Sequence, residues 1–358
     1  MPTEPAVLSA SQVVHPLAAR RILRLALGTA LSLCFSQAIN WPFSYIAPVL
    51  TLMILALPLP APSLKQGVGF IIALLLPIAA SMVFLPFLWH ARWVGILLIT
   101  LAMYYTFYYT AKGGAAILGT LMTIGLTLTV TVGSVNASII LYLIKAMALC
   151  AISGIAFVWV AHALLPDPPP DPDATARRPP PPVKPDLSAA RWNALRSLVI
   201  VLPIALVFLF MSGSPSYTVV MLKVASMGQQ ATADHSRQMG RSLLESTLWG
   251  GLGALIGWTL LSAWPSLIFY TLLIALAGLL YGRGVFRGPG VHPKFSMWSY
   301  AFLTMLIILA PALLDGVTSN GAAVAIWSRL FLILLVAVYG TIAVAVFDAF
   351  FPGKASRE

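Results

Sequence analysis

Acidic side chains are nearly missing from this chain. Asp and Glu together number 10 in 358 residues, and with Lys and Arg the charged share reaches only 9%, against about 25% in a soluble domain. So few charges cannot cover a water-facing surface, which excludes a soluble globular protein. Cysteine is as scarce: the 2 cysteines, Cys34 and Cys150, both lie in apolar runs, where they read as small buried residues and not as a disulfide. No Gly-x4-Gly-Lys-Ser/Thr loop, no His/Cys/carboxylate set with metal-ligand spacing and no Gly-x-Ser-x-Gly elbow occurs. These absences exclude phosphate-loop ATP hydrolysis and give no reason to expect a metal, a cofactor or an enzyme. The net charge of +11 does not point to nucleic acid, because no basic patch with interleaved aromatics appears. Met1–Ala19 has no apolar core, so no cleavable signal peptide is expected there.

What is present is apolar sequence, 59% of the chain. Runs long enough to cross, or nearly cross, ~30 Å of hydrocarbon fall at Ile22–Ile39, Phe43–Leu59, Gly67–Leu88, Trp93–Tyr109, Ala115–Val132 and Ser138–Leu164. Six more fall at Ala194–Met211, Ser216–Gln230, Leu243–Ala263, Ser266–Tyr281, Met297–Leu314 and Ala322–Phe351. The expected fold is an all-α integral membrane protein of about 12 transmembrane helices, in two parallel six-helix repeats. The predicted organisation is a cytoplasmic tail over 1–20, a first repeat over 21–165, a proline-rich cytoplasmic linker over 166–190, a second repeat over 191–352 and a cytoplasmic tail over 353–358. In the linker, 10 of the 20 residues Pro166–Pro185 are proline, a composition that favours an extended strap reaching up to ~60 Å at about 3.1 Å per residue.

The repeat is visible in the residues. Tyr45 is followed 20 positions later by Lys65-Gln66, and Tyr217 by Arg237-Gln238 at the same spacing. Arg24 and Arg196 each precede their tyrosine by 21 positions, and Ala161-His162-Ala163-Leu164-Leu165-Pro166 matches Phe347-Asp348-Ala349-Phe350-Phe351-Pro352. Duplicated apolar bundles are a common transporter architecture, with the substrate path between the halves. With the N-terminus inside, 17 basic residues lie on the cytoplasmic side, Arg92 alone lies outside, and Lys145, Lys223 and Arg329 remain within spans. That bias predicts a multi-pass membrane protein with both termini cytoplasmic. An even number of spans per half makes the repeats parallel and not inverted.

An ionisable group within a span asks for a reason. Lys145 and Arg329 lie 7 residues into the sixth and twelfth spans, near-equivalent places if a two-residue slip is allowed. They would either line one outer cavity for a carboxylate or snorkel to the headgroups. Lys223, Ser226, Gln230 and Asp234 follow a helical spacing that puts them on one face. That stripe would line a watery groove or form a polar seam; its counterparts are Thr51, Ile54, Pro58 and Pro62. Proton-coupling candidates are Asp234, His235 and Glu245 as one group and His162 with Asp348 as another, the alternative being solvated boundary residues. Tyr104, Tyr105, Phe107, Tyr108 and Tyr109 crowd the inner end of the fourth span; they suit either substrate stacking, with Tyr104 and Tyr108 as the contacts, or an interfacial belt. Thr120, Thr123, Thr127 and Thr131 share a face and either meet substrate or bond back to their own helix. Pro48, Pro77, Pro203 and Pro311 interrupt four spans, as hinges or as ordinary membrane-helix prolines. Asn136-Ala137-Ser138 matches a glycosylation sequon in an outer loop.

Three segments carry a resemblance. Arg24-Leu25-Ala26-Leu27-Gly28-Thr29-Ala30-Leu31, Trp41-Pro42-Phe43-Ser44-Tyr45-Ile46-Ala47-Pro48-Val49 and Leu64-Lys65-Gln66-Gly67 resemble the fusaric-acid-resistance/aromatic-acid-exporter superfamily. Tyr217 with Arg237-Gln238-x-Gly240-Arg241 is similar to its second module. The resemblance implies an inner-membrane exporter of aromatic or other organic acids, driven by an ion gradient, with a periplasmic membrane-fusion adaptor and an outer-membrane channel as partners. Larger relatives carry a soluble cytoplasmic domain where this chain has the proline strap. Other partners expected are the organic anion, membrane lipid and a second copy of the chain. The rival expectations are a non-transporting scaffold for an envelope assembly and a membrane-embedded enzyme, the latter poorly served by so few acids.

Overall fold

The computed structural model describes residues 16–133, 139–167, 187–210, 220, 222–228, 236–287, 290–314 and 320–351. The proline strap, Asn136–Ser138, Tyr217, Gln230, Asp234, His235 and Asp315 lie outside the described residues. Twelve helices appear among those described. They are α1 (Pro16–Ile39), α2 (Ile46–Leu55), α3 (Leu64–His90), α4 (Arg92–Ala111), α5 (Ala116–Gly133), α6 (Ile139–Leu164) and α7 (Leu187–Phe210). A helical run over 222–228 is α8. After it come α9 (Ser236–Ala263), α10 (Leu267–Val285), α11 (Phe295–Leu314) and α12 (Asn320–Phe350). A two-residue hairpin, β1 (Phe286–Arg287) with β2 (Gly290–Val291), joins α10 to α11.

Seven of these helices are long and apolar enough to cross a membrane. Large apolar side chains face outward around the bundle, among them Leu97, Leu141, Ile268, Leu272 and Phe331. An apolar exterior on this scale needs hydrocarbon around it, and the chain is a multi-pass membrane protein.

Burial sorts the helices into an inner and an outer set. Nine of the ten residues of α2 are buried, as are all of 222–228 in α8 and long stretches of α5 and α11. The other helices show one apolar face to the outside. The main pairings are α1 with α2, α6 and α10; α3 with α4, α5 and α6; α4 with α5 and α7; α2 with α6 and α11; α5 with α6; α7 with α12; α9 with α10, α11 and α12; and α11 with α10 and α12.

The second predicted span is not one. α2 has ten residues, about 15 Å at 1.5 Å per residue, roughly half of a ~30 Å hydrocarbon core. Leu57–Pro62 leaves the helix because Pro58, Pro60 and Pro62 donate no backbone hydrogen bond and push the residue before each of them to extended backbone. At the other end the chain enters α2 through a strained turn in which Asn40 has φ 53° and Phe43 φ 59°, a region a bulky residue rarely adopts. That turn is pinned: Trp41 Nε1 donates to Cys150 Sγ (3.2 Å), and the Cys150 thiol donates to the Phe43 carbonyl (3.3 Å). The repeated Lys65-Gln66 has a local role in its first copy. Ser63 and Gln66 form a reciprocal capping box at the start of α3, with bonds of 2.8 and 3.3 Å.

Basic residues gather at one end of the bundle. Arg20 donates to the Pro166 carbonyl (3.2 Å), and Arg24, 3% exposed, donates to Leu165 O (2.6 Å) and pairs with Asp167 (2.8 Å). Trp159 Nε1 donates to Pro62 O just before α3, while β1 packs on α1. Tyr281 donates to Trp249 O, Lys294 pairs with Glu245, Thr341 donates to Gly240 O, and Trp192 packs on Phe347 and Phe351. These contacts bring the ends carrying Arg20, Arg24, Lys65, Arg191, Arg241, Arg283, Arg287 and Lys294 into one layer. Pro77 and Pro86 in α3, Pro203 in α7 and Pro311 in α11 lie within continuous helices.

Arg24 ties the start of α1 to the end of α6, where helix carbonyls lack partners of their own. Hydrogen bonds to charged groups are worth about 1.5–3 kcal/mol. Arg24→Ala should therefore lower unfolding stability in detergent by about 2 kcal/mol, and Arg24→Lys should recover less than half of the loss. An unchanged thermal midpoint in both variants would show that this tie contributes nothing.

Candidate functional site

The most unusual side chain in the interior is Lys223. It is 1% exposed and sits on α8, its Nζ donating to Thr304 Oγ1 at 2.8 Å. Thr304 passes its own proton on, donating to Tyr300 O at 2.7 Å. Thr304 stands at the midpoint of α11, so the lysine head lies near the middle of the bundle. Among the described residues no carboxylate pairs with it; the ion pairs there are Arg24–Asp167, Arg241–Glu245 and Lys294–Glu245. An ammonium has three donor hydrogens, and one hydroxyl uses one of them. Burial of a cation with so little compensation is costly, which marks the position as one retained for more than packing.

The walls are set by close packing around α8. Gly228 meets Phe107 of α4 and Val201 of α7. Met227 lies against Gly340 of α12, and Lys223 reaches α11. Ser226, also 1% exposed, donates back to Lys223 O at 2.8 Å. The sequence suggested that Lys223 and Ser226 line a watery groove. They are enclosed instead, because Phe107, Val201 and Met227 fill the space around the helix.

The position matched to Lys223 in the first half is Thr51 of α2, and it is fully bonded. Thr51 Oγ1 lies 3.0 Å from Ser32 Oγ, 3.1 Å from Ala47 O and 3.2 Å from Gly154 O. The two sequence-matched positions thus hold a satisfied hydroxyl linking α1, α2 and α6, and a buried lysine with one partner among the described residues.

The other intramembrane cations separate. Lys145 is exposed on α6 and Arg329 is 2% exposed on α12. With the closing motifs Ala161–Pro166 and Phe347–Pro352 in register, Arg329 matches Leu143, also buried, and Lys145 matches Phe331, also exposed. The two-residue slip allowed at the sequence level is therefore absent. Two residues turn a helix by about 200° at 3.6 residues per turn, so Lys145 and Arg329 face opposite ways. The main packing partners of α6 and α12 also do not include each other. Lys145 lies on the exposed face of α6; Arg329 is an interior cation in the first third of α12.

Tyr104 and Tyr108 stack on each other at 6.1 Å and 7°, with Lys112 over the Tyr108 ring at 5.7 Å. Glu245 is held between Arg241 (2.5 Å) and Lys294 (3.3 Å) at the basic end, an ion-pair triad that accounts for it without proton transfer. His162 is 9% exposed, its Nδ1 bonded to Val158 O at 2.9 Å. The side chain of Asp348 lies outside the described residues. Thr120, Thr123 and Thr127 bond back to Ala116, Gly119 and Thr123, as threonines in helices commonly do; the Thr131 side chain is outside the described residues. Sequence reading did not find Thr304, whose local spacing does not single it out; Phe107 stood out only as one of the aromatics of the fourth span, and the structure sets it beside α8.

A model of a membrane-protein family described as "Protein of unknown function (DUF2955)" matches residues 21–161. The match begins in the first turns of α1 and ends near the close of α6, the extent of the first six helices. No curated protein and no solved structure matches the chain.

Proposed function

We propose that the chain is a secondary transporter that exports aromatic or other hydrophobic organic acids across a bacterial inner membrane. The observation that carries this reading is the enclosed Lys223 at the centre of the bundle, a cation with no acid partner among the described residues. A buried ammonium with spare donors is a receptor for a carboxylate, and intramembrane cations mark ion paths.

Two parallel six-helix repeats give that receptor its setting. Pairings within helices 1 to 6 recur six positions on: α3 with α4, α5 and α6 as α9 with α10, α11 and α12; α4–α5 as α10–α11; α5–α6 as α11–α12; α1–α6 as α7–α12. Across the halves, α1–α10 answers α4–α7. Gly154 on α6 lets α2 approach at Ala47, Leu50 and Thr51, and its counterpart Gly340 on α12 receives Met227 of α8. Repeats related by an axis along the membrane normal place substrate between the halves near mid-depth, the level of Lys223. The basic end faces the cytoplasm in this reading, following the positive-inside rule. A periplasmic adaptor and an outer-membrane channel would complete the export route. Lys223 and Arg329 are the interior cations of the proposed path, with Phe107 beside α8. Tyr104 and Tyr108 would meet aromatic substrate at the cytoplasmic side.

Proteoliposomes with an imposed proton gradient and a panel of aromatic acids test this directly. Lys223→Met should reduce transport by at least tenfold while leaving the protein as stable or more so. Replacing a buried charge by an apolar residue of like volume is often neutral or stabilising by about 1–4 kcal/mol. A variant that is destabilised yet transports normally would assign Lys223 to structure. Sidedness has its own check. Lys112→Cys in intact cells should be shielded from an impermeant maleimide and labelled after permeabilisation; labelling in intact cells would invert the topology.

A further inference from the structure

The α1/α6 and α7/α12 seams are built differently: the first closes over small residues, and the second holds a cavity. Between α1 and α6, Gly28 stands where a Cβ would lie 3.0 Å from Ala161 Cβ and would collide with Leu55 of α2. The seam is closed over α2, and Arg24 bonds it shut at the end. Between α7 and α12 the matched residues are Ile200 and Phe347, 1% and 8% exposed. Two bulky side chains occupy the place of a glycine and an alanine. The helices part there into a groove with a volume of about 470 Å³, lined by Trp192, Val199, Ile200, Ala343, Phe347 and Phe351 among other apolar residues. Its size is that of small-molecule sites, about 300–1,000 Å³.

The groove opens outward, since Val199 and Phe351 are exposed. Its mouth faces the hydrocarbon beside the basic end. Arg191, exposed and next in sequence to Trp192, stands at that end. The helix that carries the buried lysine packs behind the two helices of the groove: Val201, next to Ile200, touches Gly228 of α8, and Gly340, one turn before Ala343, touches Met227. The closed seam thus covers α2, which has Thr51, and the parted seam covers α8, which has Lys223.

We propose that the α7/α12 groove is a loading site for amphiphilic carboxylates dissolved in the membrane leaflet at the basic end. The apolar body lies along Ile200, Ala343 and Phe347, and the carboxylate stays at the membrane surface by Arg191. This rests on the transport reading for its role, and it narrows the substrate class to acids that partition into lipid. Ala343, Ile200 and Phe347 set the length and width accepted.

The probe is a fatty acid brominated mid-chain, whose bromines quench a nearby indole. Purified full-length protein in nanodiscs is titrated, and the share of quenching owed to Trp192 is taken as the difference between the wild type and Trp192→Phe. That share should saturate, be reversed by unbrominated hydrophobic aromatic acids, and need at least tenfold more probe in Ala343→Trp, which fills the groove. Val346→Trp, at a lipid-exposed lining position, serves as a second filling variant should Ala343→Trp fail to fold. Undiminished saturable quenching in the filled groove would overturn the proposal. So would quenching by a brominated phospholipid that the free acid cannot displace, which would make the occupant a bilayer lipid. Binding without transport would leave this site standing and sink the transport reading. Loss of binding with transport intact would do the reverse.

Discussion

A ten-residue helix cannot survive bare in hydrocarbon, and the bundle is arranged around that constraint. The ends of α2 present backbone groups at membrane depth, where an unsatisfied N–H or C=O costs several kcal/mol and irregular backbone is tolerated only inside protein. Three solutions are combined here. α1, α6 and α11 wrap the helix. Trp159 caps the Pro62 carbonyl from α6, and Pro58, Pro60 and Pro62 remove three donors from the segment that follows. At the other end Trp41 and Cys150 hold a turn that strains Asn40 and Phe43. The long outer helices satisfy their own backbones and meet lipid; the short inner ones depend on them.

The same enclosure makes room for a charge. A lysine on an outward face, as Lys145 is on α6, is free to extend toward the headgroups. Lys223 is enclosed: α4, α7, α11 and α12 pack around α8, and its partner among the described residues is the Thr304 hydroxyl. The half that keeps Thr51 in the equivalent place spends its hydrogen bonds on holding three helices together. Thr51 is thus a structural knot, whereas the Lys223 ammonium has one hydroxyl partner among the described residues.

Much of the fold was legible in hydropathy, because length and apolarity decide which segments leave water. Every predicted run contains a helix, and the ends of α1, α6 and α12 fall within a few residues of their charged or proline boundaries. The failures share a cause. Leu57–Leu59 reads as membrane sequence because proline and leucine are both apolar; hydropathy does not register that proline ends a helix. Lys145 and Arg329 looked equivalent because depth was counted along the chain while facing direction was not. Arg24 was read as a repeat marker and a positive-inside charge, and its bond to Asp167 spans 143 positions that no local spacing reveals. Within the site, Lys223 declared itself as a charge in an apolar run. Thr304 and Phe107 are ordinary membrane-helix residues until the tertiary structure sets them beside α8.

The brevity of α2 also bears on how the protein is made. A segment crosses lipid on its own only as a helix long enough to span it, and the ten residues of α2 are too few. α2 and the proline-rich stretch behind it must wait, shielded, until α6 has been synthesised to supply Trp159 and Cys150. Roughly a hundred residues separate these partners from the segment they shelter. The first half is therefore committed to post-insertional rearrangement, and faults in α6 should surface as misassembly of a helix that was translated long before it.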